Sequence, residues 1–306
     1  MDEWCGSNRG IQITRQPSFL HVLQCFPKMV MRGAQVYLHK SDLNVGWLTV
    51  AAEERLSLQG LIVAFIRPQQ GVAQIVSWFV VPRYSNQGIG QKMLAALECW
   101  CREHRIEDIS LELMDENPFY GAASHILHKQ GWSDLQPLVH RFKVAVSTLA
   151  NLQWDRMPRK PSGIKLFPWK SLSNQQLKQL MTRSSNKDHF PAELLLSKRE
   201  LGIEYAVSFG LCLGEELIGW IIAHRPRHDL IEYSSLYVKS GKRSNGATFL
   251  LLGESFQQLI ETGATSVIFQ VKVDNRPMLR LTRKRFQPFL GQATLFQCKK
   301  RLLKDA

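Results

Sequence analysis

Short apolar runs separated by polar turns dominate the first half of the chain. The longest runs, at 61–66 and 78–81, have the length of buried strands. This pattern predicts strands at 47–53, 60–67, 72–81, 108–114 and 138–146. Helical spacing of apolar residues predicts helices at 88–104 and around 119–130. Strands mixed with helices in this order predict an α/β or α+β sheet domain.

The second half of the chain repeats the first at a constant shift of 158 residues. Strand ends, glycines and turn residues share this shift: Arg67-Pro68 with Arg225-Pro226, Gly88 with Gly246, Asn117 with Asn275, and Trp47 with Tyr205. The repeat predicts strands near 204–212, 217–224, 230–238, 265–273 and 293–302, with helices at 246–261 and 276–285. Because unrelated features share one register, the sequence predicts two copies of one domain in tandem.

A polar segment with two prolines and a glycine, 151–163, separates the two copies. Such a composition is typical of a connection between domains. We therefore divide the chain into an N-terminal domain at 1–150, a linker at 151–163 and a C-terminal domain at 164–306.

The net charge of +13 is unevenly distributed. Residues 1–150 carry 14 Lys and Arg against 13 Asp and Glu, whereas residues 151–306 carry 25 against 13. A basic half attracts phosphates, nucleic acid, an anionic surface or an acidic substrate, and it is equally consistent with a soluble basic domain. The segment "LRLTRKRF" at 279–286 concentrates four of the cations. It suits either a contact with phosphate or nucleic acid or a solvated helix face.

The remaining bulk features narrow the class of protein. The apolar runs are too short to span a bilayer, and the acidic start has no apolar core, so neither a membrane span nor a secretory signal is predicted. The six cysteines show neither a CxxC pair nor zinc-type spacing. We therefore expect a cytoplasmic protein with reduced cysteines and no metal site.

The segment "VVPRYSNQGIGQKMLAALECWC", from Val80 to Cys101, leads from a strand end through two glycines into an amphipathic helix. A helix N-terminus has unpaired N–H groups and the positive end of the helix dipole, so it binds anions. Gly88 and Gly90 remove side chains where a phosphate would approach the backbone. The residues thus predict a main-chain cradle for a diphosphate, with Lys92 as a countercharge. The alternative is that the glycines only close a tight turn. The GxxxxGK[ST] and GxGxxG motifs are absent.

The order of these features resembles the GCN5-related N-acetyltransferases, the GNAT superfamily. It runs through a strand, "VPRYSNQGIG", a long helix, a strand, Asn117, a helix and "KQGW" at 129–132. The resemblance covers 47–146 well and 204–302 more weakly. It implies two tandem GNAT-like domains, each with a mixed, mostly antiparallel central sheet flanked by helices. Gly88 and Gly90 match the family signature Gln/Arg-x-x-Gly-x-Gly/Ala, whereas Ser85 replaces its Gln/Arg.

The resemblance implies that the N-terminal copy binds acetyl-CoA. The strand end would pair with the pantetheine arm, the loop and helix start would hold the pyrophosphate, and an asparagine would contact the arm. These implied cofactor-binding residues are Phe79, Val80, Val81, Ser85, Asn86, Gln87, Gly88, Ile89, Gly90, Gln91, Lys92 and Asn117. In the second copy Gly246 keeps the first glycine position but Thr248 fills the last. We therefore expect weak or absent CoA binding there.

The tyrosine that often serves as the acid in this family is missing from both copies. Leu127 and Arg285 occupy its position. Tyr120 and His128 are the candidate catalytic substitutes, although each also suits an ordinary packed or solvated role. The carboxylates that could act as a base are Glu112, Asp115 and Glu232.

The resemblance implies an N-acetyltransferase that moves an acetyl group from acetyl-CoA directly to a primary amine in a ternary complex. The acceptor would be a small molecule or a peptide, and the basic C-terminal half favours an anionic one. The alternative is a non-catalytic GNAT-like protein that senses CoA or binds a partner such as nucleic acid.

Overall fold

The computed structural model describes residues 11–16, 46–54, 57–150, 163–173, 202–239, 246–286 and 291–302, with 175, 176, 179 and 241. All of the predicted linker except Gly163 lies outside the described residues. The chain forms two compact units, one of Met1–Leu138 with Thr294–Ala306 and the other of Val139–Ala293. Within the described residues, no helix is long and apolar enough to cross a membrane.

Twelve strands and five α-helices occur in the part of the chain that the structure describes. In chain order the strands are β1 (Ile11–Gln16), β2 (Gly46–Glu54), β3 (Ser57–Arg67), β4 (Val72–Val80), β5 (Asp108–Met114), β6 (Gln136–Ala145), β7 (Ile164–Pro168), β8 (Phe209–Leu213), β9 (Glu216–Arg227), β10 (Leu230–Val238), β11 (Ser266–Lys272) and β12 (Gly291–Arg301). The helices are α1 (Ile89–Glu103), α2 (Tyr120–Lys129), α3 (Val146–Ala150), α4 (Ala247–Leu259) and α5 (Arg276–Phe286). The predicted helices and most predicted strands are confirmed, with ends that differ by a few residues.

The first unit is built on a sheet with the strand order β1-β2-β3-β4-β5-β12. Neighbouring strands are antiparallel except β4 and β5, which run parallel over Val72–Ile75 and Asp108–Leu111. The helix α1 covers one face because its apolar residues recur at helical spacing. Met93, Leu94 and Leu97 are fully buried in the core of this unit.

The second unit has the same organisation, with the strand order β6-β11-β10-β9-β8-β7. Its parallel pair, β10 with β11, covers Leu230–Tyr233 and Ser266–Phe269, which are the bounds of the first unit shifted by 158 residues. The helix α4 supplies Leu251 to the core of this unit. Two tandem copies of one α/β (α+β) domain, each with a mixed, mostly antiparallel sheet, are therefore confirmed.

The last strands of the two copies are exchanged relative to the division made from the sequence. β6 pairs with β11 in the second unit, and β12 pairs with β5 in the first. The compact units thus differ from the predicted division at 1–150, 151–163 and 164–306. The physical reason is that alternation along a strand specifies which face is buried but does not specify the strand to which it pairs.

One predicted strand, at 204–212, begins later than expected. Tyr205–Val207 forms a 3₁₀ turn, and β8 starts at Phe209. The backbone carbonyl of Glu204 accepts a hydrogen bond of 2.8 Å from Ser208 Oγ, and its carboxylate accepts one from Ala206 N. These local bonds take the place of strand-to-strand hydrogen bonds. Tyr205 therefore does not begin a strand, although the repeat aligns it with Trp47 at the start of a predicted strand.

A buried carboxylate connects α1 to β12 in the first unit. Glu98 is 4% exposed, and its Oε2 accepts hydrogen bonds from Lys300 Nζ at 2.6 Å and Arg102 Nη2 at 3.3 Å. Its Oε1 accepts one from Trp132 Nε1 at 2.8 Å. Lys300 Nζ also donates to Gln130 O at 2.6 Å. A single charged group therefore fixes β12 against α1 and the segment after α2.

We predict that Lys300→Met lowers the free energy of unfolding by about 3 kcal/mol, because it leaves the Glu98 carboxylate buried without its main countercharge. Urea unfolding followed by tryptophan fluorescence measures this loss. Lys299→Met, at an exposed neighbouring position, is the matched control and should change stability by less than about 0.5 kcal/mol. Glu98→Gln/Lys300→Met should regain part of the loss, since no unpaired charge remains. Equal losses in the two lysine variants would contradict the assignment.

Candidate functional site

A cleft opens in the first unit where β4 and β5 part. Ile75 and Ser77 of β4 lie opposite the consecutive residues Ala64 and Val63 of β3, so Val76 is an extra residue and forms a β-bulge. The pairing of β4 with β5 ends just before this bulge. A bulge bends its strand and interrupts the ladder. The last residues of β4 therefore have no strand paired on the β5 side among the described residues.

The cleft has a volume of about 360 Å³, within the range of small-molecule sites. Three parts of the chain form its walls: the ends of β4 and β5, the loop with the start of α1, and one side of α2. The lining residues are Trp78, Phe79, Val80, Tyr84, Ser85, Asn86, Gly88, Ile89, Gly90, Leu113, Asn117, Phe119, Ala122, Ala123 and Ile126. The walls are mostly apolar, and the main-chain amides of the loop and helix start lie at one end.

The loop before α1 has the geometry of an anion cradle. Asn86 and Gly88 adopt left-handed backbone conformations, with φ of 62° and 75°. Gly88 is the N-cap, and its carbonyl accepts the first intrahelical bond from Lys92 N at 3.0 Å. The amides of 89–91 precede that bond and so have no acceptor within the helix. A Cβ added at Gly88 would meet no atom within 4 Å, so the space in front of these amides is open.

The second glycine of the motif has a different role from the first. A Cβ added at Gly90 would lie 3.3 Å from Trp78 Nε1 and 3.5 Å from Val80 Cγ2. Gly90 therefore allows the start of α1 to approach the end of β4 closely. Gly88, by contrast, is required by its positive φ, which non-glycine residues adopt only at a cost.

Most of the cofactor-binding residues predicted from the sequence line the cleft. Those that do are Phe79, Val80, Ser85, Asn86, Gly88, Ile89, Gly90 and Asn117, whereas Val81, Gln87, Gln91 and Lys92 do not. Val81 N donates to Gln59 O, and Val81 O accepts from Tyr84 N, each at 2.8 Å. The main-chain groups of successive strand residues point to opposite sides, so Phe79, which pairs with Leu61, faces β3 as Val81 N does, and the main-chain groups of Val80 face away from β3.

Asn117 lies where β5 ends and α2 begins. Its Oδ1 accepts a hydrogen bond from Phe119 N at 2.9 Å, and its N donates to Met114 O at 3.0 Å. These bonds fix the turn that brings α2 alongside the cleft. The Nδ2 amide group is left as the part of Asn117 that a ligand can meet.

The structure does not bring the two candidate catalytic residues of the sequence into the cleft lining. The centroid of the Tyr120 ring lies 5.6 Å from that of Phe296 on β12. Burial raises the pKa of the Tyr120 hydroxyl, and electrostatic interactions with Asp115 and Cys298 add to this effect. His128 is exposed and lies half a helical turn from the lining residues. Leu127, at the family's usual acid position, is buried in the core.

Sequence reasoning missed the wall that α2 contributes. Phe119, Ala122, Ala123 and Ile126 follow the i, i+3, i+4, i+7 pattern of one helix face. This spacing is visible in the sequence, but it was assigned to no ligand. Phe119 is 46% exposed, which is unusual for a large apolar side chain and is explained by its position at the cleft.

A carboxylate lies on the opposite face of the sheet, at the point where the strands part. Glu112 follows Leu111, the last residue of β5 that pairs with β4. Leu111 and Leu113 face the α1 core, so Glu112 points to the other side. Gln297 Nε2 of β12 donates to Glu112 Oε1 at 3.4 Å. Burial raises the pKa of Glu112 above its usual value, although the bond from Gln297 lowers it. Glu112 does not line the cleft, so it can act as a base only for an acceptor amine that approaches the parted strands from this second face of the sheet.

The other two carboxylates named from the sequence lie elsewhere. Asp115 Oδ1 accepts a hydrogen bond from Thr294 N at 2.8 Å, which joins the end of β5 to β12. Glu232 belongs to the second unit, where burial raises its pKa and the charge of Arg141 opposes this effect. Glu112 is therefore the carboxylate of the first unit whose position best suits proton transfer.

The second unit keeps the same cleft, although its glycine motif is altered. Its extra strand residue is Ser234, which lies 158 positions after Val76, and the cleft measures about 510 Å³. Thr248 lines this cleft at the position of Gly90, and Leu236 lines it at the position of Trp78. Leucine and threonine thus replace tryptophan and glycine at these two positions. Weaker CoA binding in the second unit, expected from Thr248, stays a prediction, because the cleft is not closed.

Comparison with known proteins identifies the family. The model of the acetyltransferase (GNAT) family matches residues 20–124 and 174–286, which together exceed half of the chain. A search of curated proteins found no match.

Solved structures of the same architecture align over nearly the whole chain. A tandem GNAT protein from the clavulanic acid biosynthesis pathway has a TM-score of 0.66 and 14% identity, covering 97% of this chain and 100% of that one. A GCN5-related N-acetyltransferase from Sphaerobacter thermophilus has a TM-score of 0.54 and 13% identity, covering 96% and 97%. A glucosamine N-acetyltransferase region of a fungal multi-domain GH3 β-N-acetylglucosaminidase has a TM-score of 0.57 and 14% identity, covering 96% and 38%. At these identities the similarity establishes the fold alone.

The fit of Gly90 against Trp78 yields a stability prediction. Gly90→Thr should lower the free energy of unfolding by about 1–3 kcal/mol, because the new side chain overpacks against the indole. Combining it with Trp78→Leu, which copies the second unit, should give a favourable coupling of about 1 kcal/mol in a double-mutant cycle. Ala95→Thr, at an exposed position of α1, controls for helix propensity. Strictly additive losses would show that the two positions are not matched.

Proposed function

The chain belongs to the GNAT acetyltransferase family, and on that basis we propose that its first unit transfers an acetyl group from acetyl-CoA to a primary amine. The observation that carries the proposal is the cleft at the parting of β4 and β5, with the start of α1 at one end. The cleft is open at Gly88, and its walls are apolar along α2. These features fit a ligand with a charged diphosphate and an apolar arm.

The chain offers main-chain groups for each part of this ligand. The amides of 89–91 and the left-handed residues Asn86 and Gly88 would hold the diphosphate. The main chain of Val80 would pair with the amides of the arm, beside the lining residue Phe79, and Asn117 Nδ2 would donate to the arm. Lys92, exposed in the first turn of α1, would add a countercharge. Acetyl-CoA supplies, when bound, a thioester carbonyl that an amine can attack.

Proton transfer in this proposal belongs to Glu112. Its carboxylate would take a proton from the ammonium group of the acceptor, which leaves the neutral amine as the nucleophile. A main-chain N–H at the end of β4, freed from pairing by the bulge, would donate to the oxygen on which negative charge develops. A thiolate is a good leaving group, so the missing family tyrosine is tolerable.

Direct transfer is favoured by the state of the cysteines. Burial raises the pKa of Cys101 and of Cys298 to about 12, and it also raises the pKa of Cys99 and Cys212. None of these four described thiols is activated as a thiolate nucleophile at neutral pH. The proposal therefore has the amine attack the thioester without a covalent enzyme intermediate. The basic second half of the chain favours an acceptor that also carries an anionic group.

The cradle can be tested with an isosteric pair of variants. Gly88→Asn and Gly88→Asp both place a residue that tolerates a left-handed conformation and caps a helix well, and they differ only in charge. We predict that Gly88→Asp weakens acetyl-CoA binding at least about tenfold relative to Gly88→Asn, since a charge repulsion of about 1.4 kcal/mol suffices. Isothermal titration calorimetry measures both affinities.

The same change in the second unit is the control. Gly246→Asp should leave the affinity for acetyl-CoA within about twofold of the unaltered protein, since the proposed site lies in the first unit. Loss of binding in Gly246→Asp alone would place the cofactor in the second unit. If the protein binds acetyl-CoA but releases no free CoA with any amine of a broad panel, the result would support a non-catalytic, CoA-sensing protein.

The role of Glu112 yields a prediction about pH. As a base it must be ionised, so kcat/KM should rise as the pH increases through its raised pKa. Glu112→Gln should lower kcat/KM by about 100-fold or more and abolish this acidic limb. A raised pKa means that the folded state disfavours the charged form of Glu112, so the stability of the protein falls as the pH rises through this pKa. Glu112→Gln should therefore be at least as stable as the unaltered protein at neutral pH.

Tyr120→Phe and His128→Gln are the controls for this prediction. Each removes a group on α2 that could also transfer a proton, and neither residue lies beside the parting of β4 and β5 as Glu112 does. Both should retain kcat/KM within about threefold, well below the 10²-fold or larger effects of general acids and bases. A pH profile unchanged in Glu112→Gln would remove Glu112 from the mechanism.

A further inference from the structure

The helix α5 carries a strongly basic face in the second unit. Arg276, Arg280, Arg283 and Lys284 are exposed on it. Together with the buried Leu279 they line a cavity of about 470 Å³. None of these residues lines the cleft of the second unit, which α5 borders through Pro277, Met278, Leu281 and Phe286 on its other sides. The basic cavity is therefore separate from that cleft.

Electrostatics within the chain do not account for this face. The helix contains no acidic residue, and within the described residues none of the four cations forms an ion pair. Arg280 has a like charge four residues away on each side, at Arg276 and Lys284, and such pairs repel. The helix dipole favours cations in the last turn but disfavours Arg276, which begins the helix. An external anion would relieve both effects.

The basic face stands on a fixed support. Leu279, Thr282 and Phe286 are buried on the adjacent side of α5. Leu279 packs with Phe142 of β6 and Val271 of β11. Because this side anchors the helix to the sheet, the backbone positions from which the four cations extend are fixed relative to one another. A ligand then has to order only the side chains and not the helix.

We propose that this cavity binds a small ligand that carries clustered phosphate groups. Guanidinium groups bind phosphate oxygens in bidentate pairs, and three of the four cations are arginines. Cations at i and i+4 lie about 6 Å apart along the helix, so adjacent linked phosphates can each find one. The volume fits a small molecule better than an extended nucleic-acid backbone. This proposal does not depend on the acetyltransferase proposal.

The helix also supplies a matched control. Arg285 directly follows Lys284 in sequence but does not line the cavity. Its guanidinium instead lies over the ring of Phe249, 5.3 Å from the centroid. Arg285→Gln thus removes one positive charge from the same helix without changing the proposed site.

Calorimetric titration of the full chain with inorganic tripolyphosphate tests the proposal. The titration uses the Gly88→Asp background, so that the cradle of the first unit does not contribute. We expect binding of one tripolyphosphate per chain, at least about tenfold weaker in Arg276→Gln/Arg280→Gln and within about twofold in Arg285→Gln. The affinity should fall when the ionic strength rises from about 0.05 to about 0.3 M, because exposed charges are screened. The melting temperature of the double variant should not fall, since repulsion between like charges is removed.

Three results would overturn the proposal. The first is the absence of binding at tripolyphosphate concentrations up to about 1 mM, since a dissociation constant of that size corresponds to a binding free energy of only about −4 kcal/mol. The second is equal affinity in the double variant and the Arg285→Gln control. The third is the finding that a single-stranded oligonucleotide binds through the same arginines and is not displaced by tripolyphosphate. That result would assign the face to nucleic acid instead.

Discussion

One extra residue in a strand is the constraint on which the site depends. Val76 makes β4 longer than its partner β3 by one position, and the parallel pairing with β5 stops there. The strands must then part, which frees main-chain groups at the end of β4 and makes room for a ligand beside α2. The second unit has the same extra residue at Ser234. Both clefts thus have one backbone cause, and it does not depend on the glycine motif.

The elements of the fold were predictable because apolar spacing is a local property, whereas strand partners are not. The strands at 138–146 and 293–302 were predicted near their true positions, yet each pairs in the other unit. What holds β12 is a buried contact between Lys300 and Glu98, which are 202 residues apart in sequence. An internal repeat makes such a choice harder to predict, since each last strand has two similar candidate partners.

The candidate site was predictable where it depends on local backbone conformation or helix phase, and not where it depends on burial between strands distant in sequence. Gly88 is left-handed at the helix start, as its place between a strand and an amphipathic helix indicates. The phase of α2 could be read from its apolar stripe, and that stripe places His128 away from the cleft. Glu112 needed the structure, because its raised pKa comes from burial beside a strand distant in sequence.

The two copies have diverged on one helix while keeping one backbone. Ala122 and Ile126 of α2 line the cleft of the first unit, and the positions 158 residues later are Arg280 and Lys284, which line the basic cavity. In the second unit the cleft is instead lined through Met278 and Leu281 of α5. The cleft persists with Thr248 and Leu236 in its lining, so the altered glycine motif does not close it. The two copies therefore share a backbone and a cleft but differ in the chemistry of this helix, which is apolar at these two positions in the first copy and cationic in the second.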